Sequence, residues 1–223
     1  MTWRRLYITT EGQSERKVAE ELLAPHLAHF NIDVRARVVV TNRKLGKRGG
    51  VFDYQKIRSD ITRLLKEDRN DGTRFTTMID LYALPHEFPG WTEARQLQQP
   101  RKRVTALEKA LAKDIGSERF IPYIQLHEME TLLYCDLSQI ERRIAGSHQG
   151  IQSLSQEVLH LEPEEINEGV NTSPSKRIIN HVPVYERSKT RVGAPAIAAI
   201  GLPTLRAKCP HFAEWIRQLE LLT

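Results

Sequence analysis

The stretch 76-TTMIDLYALP-85 begins as a covered strand and then breaks its own pattern. Thr76, Thr77, Met78 and Ile79 suit a pleated, buried surface, yet the run ends on Asp80, followed by Leu81, Tyr82 and, shortly after, a proline. A carboxylate at the tip of an apolar strand asks for a chemical reason. The flanking sequence places this strand third in an alternating series. RRLYITTEG (4–12) reads as a first strand and SERKVAEELLAPHLAHF (14–30) as a helix, with Ser14 as its N-cap and Val18, Leu22, Leu23 and Leu27 at helical spacing. DVRARVVVT (33–41) reads as a second strand. FDYQKIRSDITRLLKEDR (52–69) is helical, with Ile57, Ile61, Leu64 and Leu65 on one face. RFTTMIDLY (74–82) is the third strand. The helical stretch from Thr92 to Gly116 is broken by Pro100, and FIPYIQLHEMETLLYCD (120–136) is a fourth strand that turns helical near Met129.

This order predicts an α/β fold with right-handed crossovers, a largely parallel Rossmann-like sheet and helices on both faces, over residues 1–136. Residues 137–223 contain short helical patterns, a polar segment around LEPEEINEGVNTSPS and a closing amphipathic helix. They read as a helical accessory lobe packed on the first domain. There is no internal repeat and no low-complexity tract.

Composition narrows the class. The chain has 223 residues and ordinary apolar and charged fractions, so it is globular rather than disordered. A formal charge of +5 tilts toward an anionic partner without identifying one. The amino terminus lacks the apolar core of a signal peptide, and no run is long and apolar enough to cross a bilayer. Cys135 and Cys209 are distant in sequence and form no CxxC pair, which argues for a reducing compartment and against a structural zinc site. The expected location is cytoplasmic. The absence of a P-loop, a GxSxG and an HExxH disfavours an ATPase, an α/β-hydrolase and a zincin.

Strand order brings acids together. Glu11 follows the first strand, Asp80 ends the third, and Glu128 and Glu130 lie near the end of the fourth, so a parallel sheet gathers all of them at one edge. Left alone, such a group repels itself and drives carboxyl pKa values upward. A divalent cation removes the difficulty, since Mg²⁺ prefers hard oxygen ligands. Glu15, in the first helical turn, either joins Glu11 or simply complements the helix dipole. Glu11 and Asp80 have the alternative of ordinary turn carboxylates, and Glu128 and Glu130 that of a solvated helix start.

TTEGQSE after a first strand, the acidic strand end MIDLY and this βαβ order resemble the Toprim domain of topoisomerases, primases and overcoming-lysogenization-defect nucleases. The chain is similar over nearly its whole length to an uncharacterised bacterial Toprim-like family with the blocks EGxSE (Glu11 to Glu15), TTMIDLYALP...FPG (Thr76 to Gly90), IQLHEMETLLY (Ile124 to Tyr134) and TSPSKRI (Thr172 to Ile178). The resemblance implies that Glu11 matches the Toprim glutamate and Asp80 the first aspartate of DxD. Tyr82 stands where the second aspartate belongs and is a poor Mg²⁺ ligand, so Glu128, Glu130 or Glu15 must replace it in a two-metal site. Failing that, the site binds one metal or none. The family also implies an ABC-type ATPase partner encoded nearby, and a role in defence against phage or mobile DNA.

The cations divide into two groups. NRKLGKRGG supplies Arg43, Lys44, Lys47 and Arg48, which either grip a nucleic-acid backbone or form a solvated loop. In NTSPSKRIINHV, Ser173 as N-cap and Pro174 at the first helical position put Lys176 and Arg177 in the first turn, against the helix dipole, unless an anion is bound there. Lys189 and Arg191 are further candidates. His86 and His127 flank the acidic edge as bases, ligands or structural residues, and Phe88 to Trp91 reads as a packed loop. The expected activity is Mg²⁺- or Mn²⁺-dependent phosphodiester hydrolysis of DNA or RNA. In it Glu11, Asp80 and one of Glu128 and Glu130 hold the metal, and Lys176 or Arg177 stabilises developing charge. The alternatives are an inactive Toprim-like module that binds nucleic acid or the ATPase, and transfer to a small phosphorylated substrate.

Overall fold

Strands β1 (Arg4–Thr10), β2 (Ile32–Val38), β3 (Arg74–Asp80), β4 (Phe120–Ile121) and β5 (Ile124–Gln125) form one sheet in the order β2-β1-β3-β4, with β5 also paired to β3. Every pairing is parallel. The structure is a computed structural model and describes residues 2–39, 53–166, 169 and 171–222. From β1 the chain moves outward to β2 and then returns past β1 to β3. The order therefore reverses between β1 and β3, the place where open parallel sheets form their binding crevice.

The pleat sends alternate residues to opposite faces, and the two faces have separate cores. Leu6, Ile8 and Met78 pack with Val18, Leu23 and Leu27 from α1 (Gln13–Val18), a π-helical turn (Ala19–Leu23) and α2 (Ala24–Ala28). Phe75 and Ile79 pack on the other side with Ile57, Ile61 and Leu64 of α3 (Tyr54–Glu67), Ala94 of α4 (Trp91–Ala94), and Val104, Leu107 and Leu111 of α5 (Pro100–Ile115). Asp53 caps α3 by accepting the Gln55 N–H at 3.0 Å, and the next helical stretch is divided at Pro100 as expected, α4 ending at Ala94 and Pro100 opening α5. β2 is an edge strand and is only half-covered.

Two local expectations change. Gly12, not Ser14, is the N-cap of the first helix, and the Ser14 hydroxyl reaches Thr190 Oγ1 at 3.4 Å instead. The fourth strand is two short pieces, because Pro122 has no N–H for the ladder and the Thr77 hydroxyl fills the gap. It donates to the Tyr123 carbonyl (2.8 Å) and accepts the Tyr123 N–H (3.1 Å). The chain then turns into a 3₁₀ helix, Met129–Cys135, as the sequence suggests.

The carboxyl-terminal half is helical: α6 (Ser138–Glu141), α7 (His148–Glu157), α8 (Pro174–His181), α9 (Tyr185–Ile200), α10 (Leu202–Lys208) and α11 (Pro210–Glu220). Ile140, Leu154, Ile178, Ile197, Phe212 and Ile216 belong to the same core as Leu6 and Ile8. α11 is fixed to the sheet by the Trp215 Nε1–H bond to Thr76 Oγ1 (3.0 Å) and by Trp215 stacked on Tyr123 at 4.0 Å. Cys135 and Cys209, distant in sequence, are buried free thiols with their sulfurs 3.4 Å apart. Among the described residues no helix is long and apolar enough to cross a membrane.

Candidate metal centre

The register places the acids. Thr10 pairs with Met78, so Glu11, one residue past the end of β1, and Asp80, two past Met78, meet at the crevice between the two strands. Glu11 Oε2 accepts the backbone N–H of Asp80 at 3.4 Å. Asp80 shares the face of Met78, the side on which the carboxyl-terminal helices pack. One of its carboxylate oxygens, Oδ1, is buried without a hydrogen-bond partner. Glu15, in α1, is buried and folds back so far that a Cβ at Gly12 would lie 2.9 Å from its Oε2. A glycine at that position leaves room for the carboxylate.

Glu128 and Glu130 part company. Both Glu128 oxygens are engaged by Ser175, whose N–H donates at 2.8 Å and whose hydroxyl donates at 3.1 Å, so Glu128 anchors the first turn of α8. Glu130 is buried; the Tyr185 hydroxyl donates to its Oε1 at 3.4 Å, and Lys189 Nζ lies 3.5 Å from the same atom. α9 thus delivers both partners of Glu130.

The electrostatics follow from this crowding. Burial and then the charge of Glu15, with smaller repulsion from Glu128 and Glu130, push the Glu11 carboxyl up to about 7, against the Asp80 N–H, which lowers it. Burial, followed by Glu11, Glu15, Glu130 and Glu128, drives Asp80 well above the ordinary carboxylate range. Glu15 and Glu130 are also raised, chiefly by burial, with Lys189 opposing the rise in both. As the side chains stand, no three His, Cys, Asp or Glu groups among the described residues are gathered tightly enough to hold a metal ion. A shared ion would need these carboxylates to swing inward from their present positions.

The remaining candidates are dispersed. Ser173 stands at the N-cap position of α8, without a side-chain capping bond, and Pro174 is its first residue, as expected, which leaves Lys176 exposed in the first turn, next to the Ser175 that holds Glu128. Arg177 is turned elsewhere: its Nε donates to the Thr172 carbonyl (2.8 Å) and its Nη1 pairs with Glu157, which also binds His181 at 2.6 Å. Arg43, Lys44, Lys47 and Arg48 lie outside the described residues. Arg191 is exposed on α9. His127 is fully buried with φ 60° and donates from Nε2 to the Glu164 carbonyl at 3.0 Å; burial lowers its pKa. His86 stacks on Trp91 with centroids 5.5 Å apart, and Phe88 packs edge-on against Tyr54 at 5.2 Å. Ser175 and Tyr185 are the site residues that sequence reasoning missed. The only local signal was Ser175 inside the TSPSKRI block.

Comparison with known proteins gives one family and one region of structure. A family model described as Domain of unknown function (DUF4276) matches residues 10–220. Among solved structures, the chain is similar to the C-terminal region of the OLD protein of Xanthomonas campestris pv. campestris, phased with platinum. The identity is 17% over 96% of this chain and 95% of that one, with a TM-score of 0.41. The same region phased with iodine gives 16% identity over 98% of each chain and a TM-score of 0.37. No curated protein matches.

Proposed function

We propose, from the premise that this chain belongs to the DUF4276 family, that it is a Toprim-like phosphodiesterase that cuts nucleic acid with the help of a divalent cation. The observation that carries this reading is Asp80 Oδ1, a buried carboxylate oxygen with no partner, set among acids that raise one another's pKa values. Burying such an oxygen without a partner is costly, and Asp60 Oδ2, the other unpartnered carboxylate oxygen among the described residues, belongs to a group already neutralised by Arg37 and Arg63. The donor set suits Mg²⁺ or Mn²⁺, which are hard ions that take oxygen ligands. Glu11, Asp80, Glu15 and Glu130 would hold the ion, while Glu128 keeps α8 in place. When bound, the ion supplies charge neutralisation, polarisation of the phosphate and a more acidic water.

The protein's own groups do the rest. Glu11, raised to about 7 by burial and by the charge of Glu15 before any ion is present, would give up that proton when the ion binds beside it. Lys189 balances part of the negative charge at Glu130. Lys176, exposed in the first turn of α8, would meet a phosphate, whose charge would offset its conflict with the helix dipole. Arg177 instead ties α8 to α7. The ATPase partner and the defence role rest on the resemblance of the sequence blocks alone.

A second reading, a binding module without catalysis, is favoured by Tyr82, which replaces an acid of the Toprim pattern with a ring. Incubating the protein and its Asp80→Asn variant with labelled DNA and RNA, in Mg²⁺, Mn²⁺ or chelator, separates the two. Cleavage that needs both the ion and Asp80 supports the enzyme. Binding without cleavage in every ion supports the module.

A further inference from the structure

We propose that Tyr82 is a stacking platform for a base of the bound strand, so that the site accepts single-stranded rather than duplex nucleic acid. The inference rests on the phosphodiesterase reading and names its substrate class. Tyr82 is 45% exposed, between buried Leu81 and half-buried Ala83. A single exposed apolar residue is ordinary. Its position is what counts. Tyr82 lies in the 3₁₀ turn Leu81–Ala83 directly after Asp80, so its Cα is at most about 7 Å from that of Asp80, roughly the scale of one nucleotide. The turn is held firmly: Leu81 is buried, the Tyr82 N–H donates to the His127 carbonyl at 2.9 Å, and the Leu84 N–H donates to Leu81 at 3.3 Å. The ring is therefore presented by fixed backbone.

Among the described residues, the exposed large hydrophobics include one other aromatic, Trp3, and Trp3 precedes β1, at the opposite edge of the sheet from Asp80. At the carboxylate edge, a phosphate brought to the acids puts its neighbouring base within reach of the Tyr82 face. Paired bases offer proteins only their edges, in the grooves. Face-to-face stacking needs a base that is unpaired or turned out of the helix, and aromatic platforms of this kind are sequence-tolerant because every base has a π-face. Along the same connection, the exposed ring of His86 lies on Trp91, a second aromatic surface in the direction the chain takes toward α4.

The test is binding, measured by fluorescence anisotropy in Ca²⁺ with a labelled single-stranded oligonucleotide and with a duplex of equal length. A 2-aminopurine placed beside the central phosphate reports stacking by quenching. The parent should prefer the single strand and quench the probe. Tyr82→Ala and Tyr82→Leu should lose about 5- to 150-fold in single-strand affinity, the equivalent of ~1–3 kcal/mol per stacked base, together with the quenching. Tyr82→Phe should keep both, and duplex binding should be alike in all four proteins. The Leu and Phe variants guard against a folding artefact, and matching melting temperatures confirm it. Unchanged affinity and quenching in the Ala and Leu variants, or equal loss in Phe, overturns the platform while leaving cleavage by the parent to stand. A parent that binds neither strand form overturns both the platform and the phosphodiesterase reading.

Discussion

Asp80 ends a strand whose residues Phe75 to Ile79 are all buried, and its Oδ1 has no hydrogen-bond partner. That is a stability cost in the metal-free protein, of the kind functional sites commonly carry. Asp80→Asn should therefore raise the metal-free melting temperature, by about 2–4 °C for each kcal/mol of repulsion relieved in a chain of this size, while abolishing cleavage. A turn-capping aspartate would behave in the opposite way. Titration gives an independent check on the same residues. The folded-state pKa of Glu11, about 7, lies above its unfolded value near 4.5, so between those two pH values the folded protein holds a proton that the unfolded chain has lost. The Glu11 contribution to metal-free stability should fall as pH rises from about 4.5 to 7 and level off beyond, an effect that saturating Mg²⁺ flattens. Melts in chelator across that window read it directly, and stability that instead rises through it would count against the crowded cluster. Lys189→Gln removes the cation 3.5 Å from Glu130. It should cost on the order of 1 kcal/mol without metal and enlarge the stabilisation by Mg²⁺, since one competitor for that carboxylate is gone.

At the scale of elements, the sequence was most readable where local rules decide the outcome. The strands β1, β2 and β3, the apolar face of α3, the helix break at Pro100 and the Ser173-Pro174 opening of α8 all follow from periodicity and local turn chemistry. So does the meeting of Glu11 and Asp80, because parallel strand order fixes which ends are neighbours. The fourth strand was over-read, since one proline divides it and the repair comes from Thr77, far away in sequence. Nor could local pattern show Ser175 on Glu128, Tyr185 and Lys189 on Glu130, or the adjacent thiols of Cys135 and Cys209. Those pairs are products of helix docking. The docking of α8 on α7 has a sharp requirement, because a Cβ at Gly150 would lie 2.2 Å from the His181 carbonyl oxygen. Gly150→Ala should destabilise the protein by about 1–3 kcal/mol through overpacking, despite the better helix propensity of alanine. A denaturant melt showing no loss would mean that α7 and α8 do not pack this closely.

Across the whole molecule, one core joins the sheet to the carboxyl-terminal helices, with Leu6, Ile8 and Met78 in the same cluster as Ile178, Ile197 and Phe212. We propose that residues 137–223 complete the first domain rather than stand beside it. Truncation after Asp136 exposes that face and should abolish cooperative unfolding, and a sharp melt of residues 1–136 alone would contradict it. The same helices supply Ser175, Tyr185 and Lys189 to the acidic edge, so fold and site are built together. We propose that this edge holds a divalent cation. An anomalous difference map from crystals soaked in Mn²⁺ tests it most directly. The expected result is a peak bonded to Asp80 and Glu11, at roughly 2.0–2.2 Å from their oxygens, with Glu15 or Glu130 turned toward it. A map with no peak at these carboxylates, from crystals in which Mn²⁺ is at saturating concentration, would contradict it.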